Sequence, residues 1–243
     1  MNKIVIISGA GISSESGIST FRGNNGLWEN HKIEEVANYL TWKQNFDLVH
    51  KFYNERRAKL KEVEPNYGHY FFTSLTNKYK VQHFTQNVDD LLERSGHPKE
   101  DSPNSPLIHL HGFLTEMHCE DCGYIWNVGY NKFDGGDDQC PNCPSKMAIK
   151  PNVVFFNQSA PMYAYLWDAL DSIEENDIII IAGTMGNVLP IEPMLRPLNC
   201  KKILNNLEPN ISINDDIFDL VLYKPLTKAV PEMEDFIETH FGF

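Results

Sequence analysis

Four of the five cysteines fall in two clips, Cys119-x-x-Cys122 and Cys140-x-x-Cys143, with 17 residues between the clips. Each clip offers two thiolates from one tight turn. Two clips complete a tetrahedral Zn²⁺ shell with no open position, so the pattern predicts a structural zinc rather than a catalytic one. Disulfides are the poorer reading for a chain whose N-terminal run, MNKIVIISGAGIS, has neither a long apolar core nor a cleavage site. That run and the clips predict a reducing, cytoplasmic setting. Cys200 is left over and reads as a quiet, partly buried thiol. Just upstream of the first clip stands His109-Leu110-His111-Gly112. Histidine titrates near neutrality and suits general-base work. His109, two residues earlier, is read as the structural one of the pair. With nine histidines in the chain, only the His-Gly followed by a thiolate clip singles out His111.

A β-branched run, residues 4–7, leads into Gly9-Ala10-Gly11, with Ser13 or Ser14 available to cap a short helix. Glycines admit close backbone approach to a pyrophosphate, and a helix N-terminus supplies N–H groups. G-x-G-x-x-S alone fits a plain tight turn equally well. Asn87 and Asp89 follow a strand at 81–84 and either hold a ligand's amide and ribose or cap the helix that starts there. On a helix at 42–63 the apolar stripe runs Phe46, Val49, Tyr53 and Leu60, and the intervening stripe position is Arg56. A guanidinium on a core-facing stripe wants an anion, and Tyr53 adds a hydroxyl on the same face. The alternatives are an arginine that snorkels out or pairs with an internal carboxylate.

These residues need elements to hold them. Strands are predicted at 4–7, 81–84, 107–110, 153–156, 178–182, 203–204 and 220–222. Helices are predicted at 33–40, 42–63, 66–78 (with Tyr70, Phe71 and Leu75 within it), 89–95 and 230–241. The alternation implies an α/β fold with a doubly wound, parallel, Rossmann-like sheet. Residues 112–150 are rich in Cys, Gly and Asp and need a staple. One unit is expected: a large lobe from about 1–23, 79–111 and 151–243, and a small lobe from a helical insertion at 24–78 and a zinc-ribbon-like insertion at 112–150. The 243 residues are 42% hydrophobic and 22% charged, ordinary for a globular chain; the net charge of −12 argues against a nucleic-acid face and is compatible with basic peptide partners, the alternative being that the acidity only aids solubility. No run approaches ~20 apolar residues, so no membrane span is expected.

The motif G-A-G-I-S-x-x-S-G-I-x-x-F-R from Gly9 to Arg22 resembles the opening of the sirtuins. Thr85-Gln86-Asn87-Val88-Asp89 is similar to their T-Q-N-I-D, and His109 to Gly112 to their H-x-H-G. Residues 151–156 are similar to their substrate-pairing segment, and Gly183-Thr184 and Asn206-Leu207-Glu208 to their late nucleotide motifs. The matches stand in order along most of the chain. The resemblance implies removal of acyl groups from protein lysines with NAD⁺ as co-substrate, giving nicotinamide and O-acyl-ADP-ribose. It implies catalytic roles for His111, as base, and Asn87. It implies NAD⁺ contacts from Gly9, Ala10, Gly11, Phe21, Arg22, Trp28, Gln86, Asn87, Asp89, Gly183, Thr184, Met185, Asn206, Leu207, Glu208 and Leu226. Acyl-peptide contacts are implied for Tyr53, Arg56, Val153, Val154 and Phe155, and zinc ligation for Cys119, Cys122, Cys140 and Cys143. Tyr53-x-x-Arg56 resembles the pair with which the bacterial CobB-type and desuccinylase-like branch reads the carboxylate of succinyl- or malonyl-lysine.

The chain departs from that pattern in places. Phe156-Asn157-Gln158 stands for F-G-E; Asn tolerates positive φ, so the turn can survive, while Gln158 removes a charge. Met185 lacks a hydroxyl, Leu92 stands where many relatives have His, Asp90 adds a carboxylate, and Ser14 in place of Ala narrows the acyl pocket. An NAD⁺ glycohydrolase or ADP-ribosyltransferase on the same scaffold is the main competing expectation. A binding module without activity fits poorly with Asn87, Asp89 and His111, and a dehydrogenase leaves the cysteines unexplained.

Overall fold

The computed structural model describes residues 2–19, 27–28, 31–100, 102 and 104–242. In chain order its elements are β1 (Lys3–Ser8), a 3-10 turn (Ala10–Ser16), β2 (Leu27–Trp28), β3 (His31–Lys32), α1 (Ile33–Val36), α2 (Phe46–Glu62) and α3 (Tyr67–Leu75). Then come β4 (Lys80–Thr85), α4 (Leu91–Arg94), β5 (Leu107–His109), β6 (Gly112–Cys119), β7 (Ile125–Asn127) and β8 (Ile149–Val153). The chain closes with α5 (Tyr163–Asp171), β9 (Ile178–Ala182), α6 (Ile191–Leu195), β10 (Lys201–Asn206), β11 (Leu220–Tyr223) and α7 (Leu226–Phe241).

Six strands form one sheet in the order β11-β10-β9-β1-β4-β5, every neighbouring pair parallel. Strand β1 is buried along its whole length, and alternation sends its side chains to two cores. Ile4 and Ile6 pack with Phe71, Phe72, Val230 and Met233 of α3 and α7. Val5 and Ile7 pack with Leu166, Leu170 and Leu195 of α5 and α6. Each such aliphatic side chain contributes about 1.5–3 kcal/mol by burial, which is why an all-aliphatic strand belongs at the centre of a doubly wound sheet. A third core joins α2 to Trp42, Leu91, Leu114, Val153 and Phe155. A small fourth one gathers Met117, Phe133 and Ile149 around Cys119 and Cys140. It lies on a three-stranded antiparallel sheet, β7-β6-β8.

Several expectations are corrected. The helix expected over 33–40 stops at Val36, because the chain turns to pair with Phe156: the Phe156 N–H donates to Ala37 O at 2.8 Å and the Tyr39 N–H to Phe156 O at 2.9 Å. Helix α2 starts at Phe46 rather than 42, and α4 is only Leu91–Arg94. Helix α3 is Tyr67–Leu75 rather than 66–78, and Phe71, Phe72 and Leu75 lie on its buried face. Asn66 caps α3, accepting from the Gly68 N–H at 2.9 Å. Neither Ser13 nor Ser14 caps the turn after β1; Gly9 holds the capping position without a side-chain bond. The strand expected over 153–156 runs instead over Ile149–Val153 and pairs antiparallel with β6. Residues 151–153 therefore pair in the small sheet. The Gly112 of the His-Gly pair has φ +83°, and a Cβ there would lie 2.0 Å from Asn152 O. That glycine is what lets the strand after His111 meet β8.

Candidate active site

The parallel sheet reverses its order at β1, which lies between β4 and β9. In open α/β sheets, ligands bind at such a switch point, beyond the C-terminal strand ends. The loops after β1, β4, β9 and β10 meet there. Gly9 N–H donates to Ala182 O at 3.0 Å and Gly11 N–H to Gly183 O at 2.8 Å. A Cβ on Gly11 would stand 2.6 Å from Gly183 Cα. The glycines thus serve first to pack loop on loop; Ala10 sits between them. Gln86 Nε2 donates to Thr184 Oγ1 at 3.0 Å, and Asn206 Nδ2 donates to Thr184 O at 2.9 Å. Gly183, Thr184, Gln86 and Asn206 are thereby brought together, with the exposed side chains of Met185, Leu207 and Glu208 next to them in sequence. The Leu226 side chain is buried in the core against Gly68, so any nucleotide contact falls to its backbone. Phe21 and Arg22 lie outside the described residues, and of Trp28 only the backbone, in β2, is described.

Deeper in the cluster is a hydrogen-bond chain whose directions are determined. His69 Nδ1 accepts from the Asn66 N–H at 3.1 Å, so its Nε2 carries the proton and donates to Ser13 Oγ at 3.3 Å. Asn87 Nδ2 also donates to Ser13 Oγ at 3.1 Å, and Ser13 in turn donates to Asp89 Oδ2 at 2.9 Å. Burial holds His69 down at about 4, hence neutral, and pushes Asp89 up. Asp89 Oδ1 also accepts, at 3.2 Å, from the N–H of Leu91, the first residue of α4, although the N-cap position itself is held by Asp90, which makes no side-chain cap bond. Asn87 Oδ1 is buried and has no donor among the described residues. A buried acceptor of that kind needs a ligand N–H, and the carboxamide of nicotinamide supplies one, so these residues fit NAD⁺.

His111 lies beside them. Its Nδ1 is 3.0 Å from Gln86 O, which can only accept, so Nδ1 carries the proton and Nε2 presents its lone pair. Tyr163 OH is 2.7 Å from that Nε2 and donates to it. Burial lowers the pKa of His111, keeping it a free base. His109 is committed to Asn87 O at 2.8 Å and Glu93 Oε1 at 2.9 Å, the structural role expected of it.

Tyr53 is fully buried and stacks on Phe155 at 5.7 Å. Arg56, nearly buried, lays its guanidinium on the Phe52 ring, 3.1 Å from the centroid, and donates from Nη1 to Phe52 O at 2.9 Å. Phe155 and Val153 turn into the core, leaving Val154 as the more exposed side chain of that segment. Asn157 has φ +64°, as the turn requires, and the amide oxygen of Gln158 accepts from the Phe155 N–H at 3.0 Å. Asp90 turns away to Tyr130 OH and Arg94, Leu92 is buried in a core, and the exposed Ser14 donates to Gly11 O at 2.8 Å. Ser13, His69 and Tyr163 are the site residues that sequence reasoning missed. Ser13 stood inside a quoted motif; the other two carried no signal.

The four clip sulfurs lie within 4.8 Å of one another, Cys119–Cys143 at 3.6 Å and Cys122–Cys140 at 3.7 Å. A tetrahedron with Zn–S bonds of about 2.3 Å has sulfur–sulfur edges of about 3.8 Å. The cluster fits zinc.

A model of the Sir2 family matches residues 9–190. An NAD-dependent protein deacylase of Helicobacter hepaticus is 41% identical, with 99% of each chain covered. One of Trypanosoma brucei brucei is 36% identical, covering 96% of this chain and 93% of that one. Among solved structures, a mutant Sir2 homologue in complex with ADP-ribose superposes with TM-score 0.82 at 30% identity, covering 99% and 94% of the two chains. A Sir2 homologue in complex with NAD superposes with TM-score 0.80 at 30% identity, covering 98% and 90%. Full-length relatives, the switch-point glycines and the four-thiol cluster agree: this chain belongs to the Sir2 family.

Proposed function

We propose that this chain is an NAD⁺-dependent protein-lysine deacylase that removes acetyl, succinyl and malonyl groups. The observation that carries the reading is His111, anchored at Nδ1 on the carbonyl of Gln86 and presenting a basic Nε2, while Asn87, the next residue after Gln86, holds a buried, donor-seeking oxygen. NAD⁺ supplies an activated ribose carbon that can take the acyl oxygen as nicotinamide departs. Asn87, with Asp89 behind it through Ser13, holds the carboxamide. Gln86, Thr184 and Asn206 meet the ribose and phosphate side, with Gly9, Ala10 and Gly11 giving backbone access. His111 Nε2 takes the proton from the hydroxyl that attacks the captured acyl carbon. Zinc on Cys119, Cys122, Cys140 and Cys143 holds the small sheet and takes no part in the reaction.

Tyr53 and Arg56 read the distal carboxylate of the longer acyl groups. A guanidinium held 3.1 Å from the Phe52 ring centroid and bonded to Phe52 O is constrained, and that suits a two-point grip on a carboxylate. The segment around Val154 takes the peptide, and the net charge of −12 favours lysine-rich partners. The chain works as one catalytic unit in the cytoplasm; no helix among the described residues is long and apolar enough to cross a membrane.

The test is deacylation of acetyl- and succinyl-peptides followed by mass. His111→Ala lowers both by ~10²–10⁴ with the fold retained. Arg56→Met lowers desuccinylation by roughly 10- to 100-fold, the worth of a charge-assisted hydrogen bond, and spares deacetylation. Wild-type turnover in His111→Ala refutes the chemistry; equal losses in Arg56→Met refute the acyl preference. Nicotinamide release at full rate without peptide favours a glycohydrolase.

A further inference from the structure

Tyr163 is the first residue of α5, following an irregular stretch after the Asn157 turn. Its hydroxyl donates to His111 Nε2 at 2.7 Å, and among the described residues it has no other hydrogen-bond partner. Gln86 O fixes the proton on Nδ1, so Nε2 has a single lone pair, and Tyr163 occupies it. A hydroxyl about to lose its proton to His111 must donate to that same lone pair at that same distance. The two donors exclude each other.

From this we propose that Tyr163 is a place-holder for the reacting substrate hydroxyl: it caps the base in the free protein and is displaced when substrate arrives. The inference rests on the deacylase reading, in which His111 is the base. The geometry suits displacement. The Tyr163 ring is half-buried and tilted 35° to the imidazole with centroids 5.8 Å apart, so it is not locked in a stack. Burial pushes its phenol up to about 12, so the hydroxyl keeps its proton at neutral pH and acts as a donor. The cap also does something useful, because donation to Nε2 holds the imidazole in the tautomer the reaction needs. Its cost is a competition that each productive binding event must win.

Tyr163→Phe removes the hydroxyl and keeps the ring. One hydrogen bond lost from the free state is expected to raise kcat/KM by about 2- to 10-fold and to lower the melting temperature by only a few degrees. Histidine ¹⁵N resonances give a second readout that packing alone would not move. In the free protein Tyr163→Phe shifts His111 Nε2, and on addition of NAD⁺ with a thioacyl-peptide the wild type and the variant converge. An unchanged kcat/KM overturns the proposal. So does a fall carried by kcat, which would mean that the hydroxyl stays and relays the proton. His111→Ala separates the two levels: if it keeps wild-type turnover the deacylase reading fails, whereas an inactive His111→Ala beside a wild-type-like Tyr163→Phe defeats this inference alone.

Discussion

His50 lies on the buried face of α2, between Phe46 at 4.4 Å and Phe133 at 5.1 Å. Its Nε2 donates to Ile149 O at 3.0 Å across to the small sheet, and its Nδ1 is buried with no partner among the described residues. Protonation would place an unpaired N–H⁺ in that apolar cage, so burial lowers the pKa from 6.5 to about 4. The unfolded chain titrates first as pH falls. The stability associated with a neutral His50 is therefore whole above about pH 6.5 and is lost as pH drops toward 4. With those two values, proton linkage between pH 7 and pH 5 costs about 2 kcal/mol for this one residue. His69, also lowered to about 4 by burial, adds a similar loss. Urea unfolding of wild type and His50→Gln at pH 7 and pH 5 isolates the His50 share. Glutamine can keep the bond to Ile149 O and does not titrate, while thiol protonation at the cysteine cluster is common to both proteins and cancels. The wild type is expected to lose about 2 kcal/mol more than the variant over that interval. Parallel losses, within about 0.5 kcal/mol, would show that His50 is solvated or paired on protonation, and the burial argument would fall.

Two further outcomes can be measured beside those given for His111, Arg56 and Tyr163. Metal analysis should find one zinc per chain, and Cys122→Ser or chelation should unfold the sheet β7-β6-β8, since metal binding there is worth on the order of 10 kcal/mol of folding free energy; hydrogen exchange confined to wild-type rates in a zinc-free protein would contradict this. Gly11→Ala puts a Cβ against Gly183 Cα at 2.6 Å, backbone on backbone, where no rotamer gives relief. It should destabilise by about 1–3 kcal/mol, and a melting temperature equal to wild type would rule out that packing.

Features set by local chemistry were legible along the chain. Two thiolate clips state their ligand without reference to a fold, because four sulfurs from two tight turns have few other uses. Aliphatic runs such as 4–7 and 178–182 announce buried parallel strands, because only a strand covered on both faces can hide every side chain. The turn at Asn157 was readable from the tolerance of Asn for positive φ, and φ is +64°. Arg56 on an apolar stripe was readable as an anomaly, because helical periodicity alone puts it beside Tyr53. Other features depended on which segments meet. The helix expected to run on to residue 40 ends at Val36, because Ala37 and Tyr39 pair with Phe156. The strand expected over 153–156 slid to Ile149–Val153, because Gly112 opened room for β8 against β6. The His69–Ser13–Asp89 chain and the cap of Tyr163 on His111 join positions 56, 76 and 52 residues apart. No periodicity or motif spacing encodes such contacts. They exist because the sheet order brings separate loops to one edge, where unsatisfied donors and acceptors must find one another.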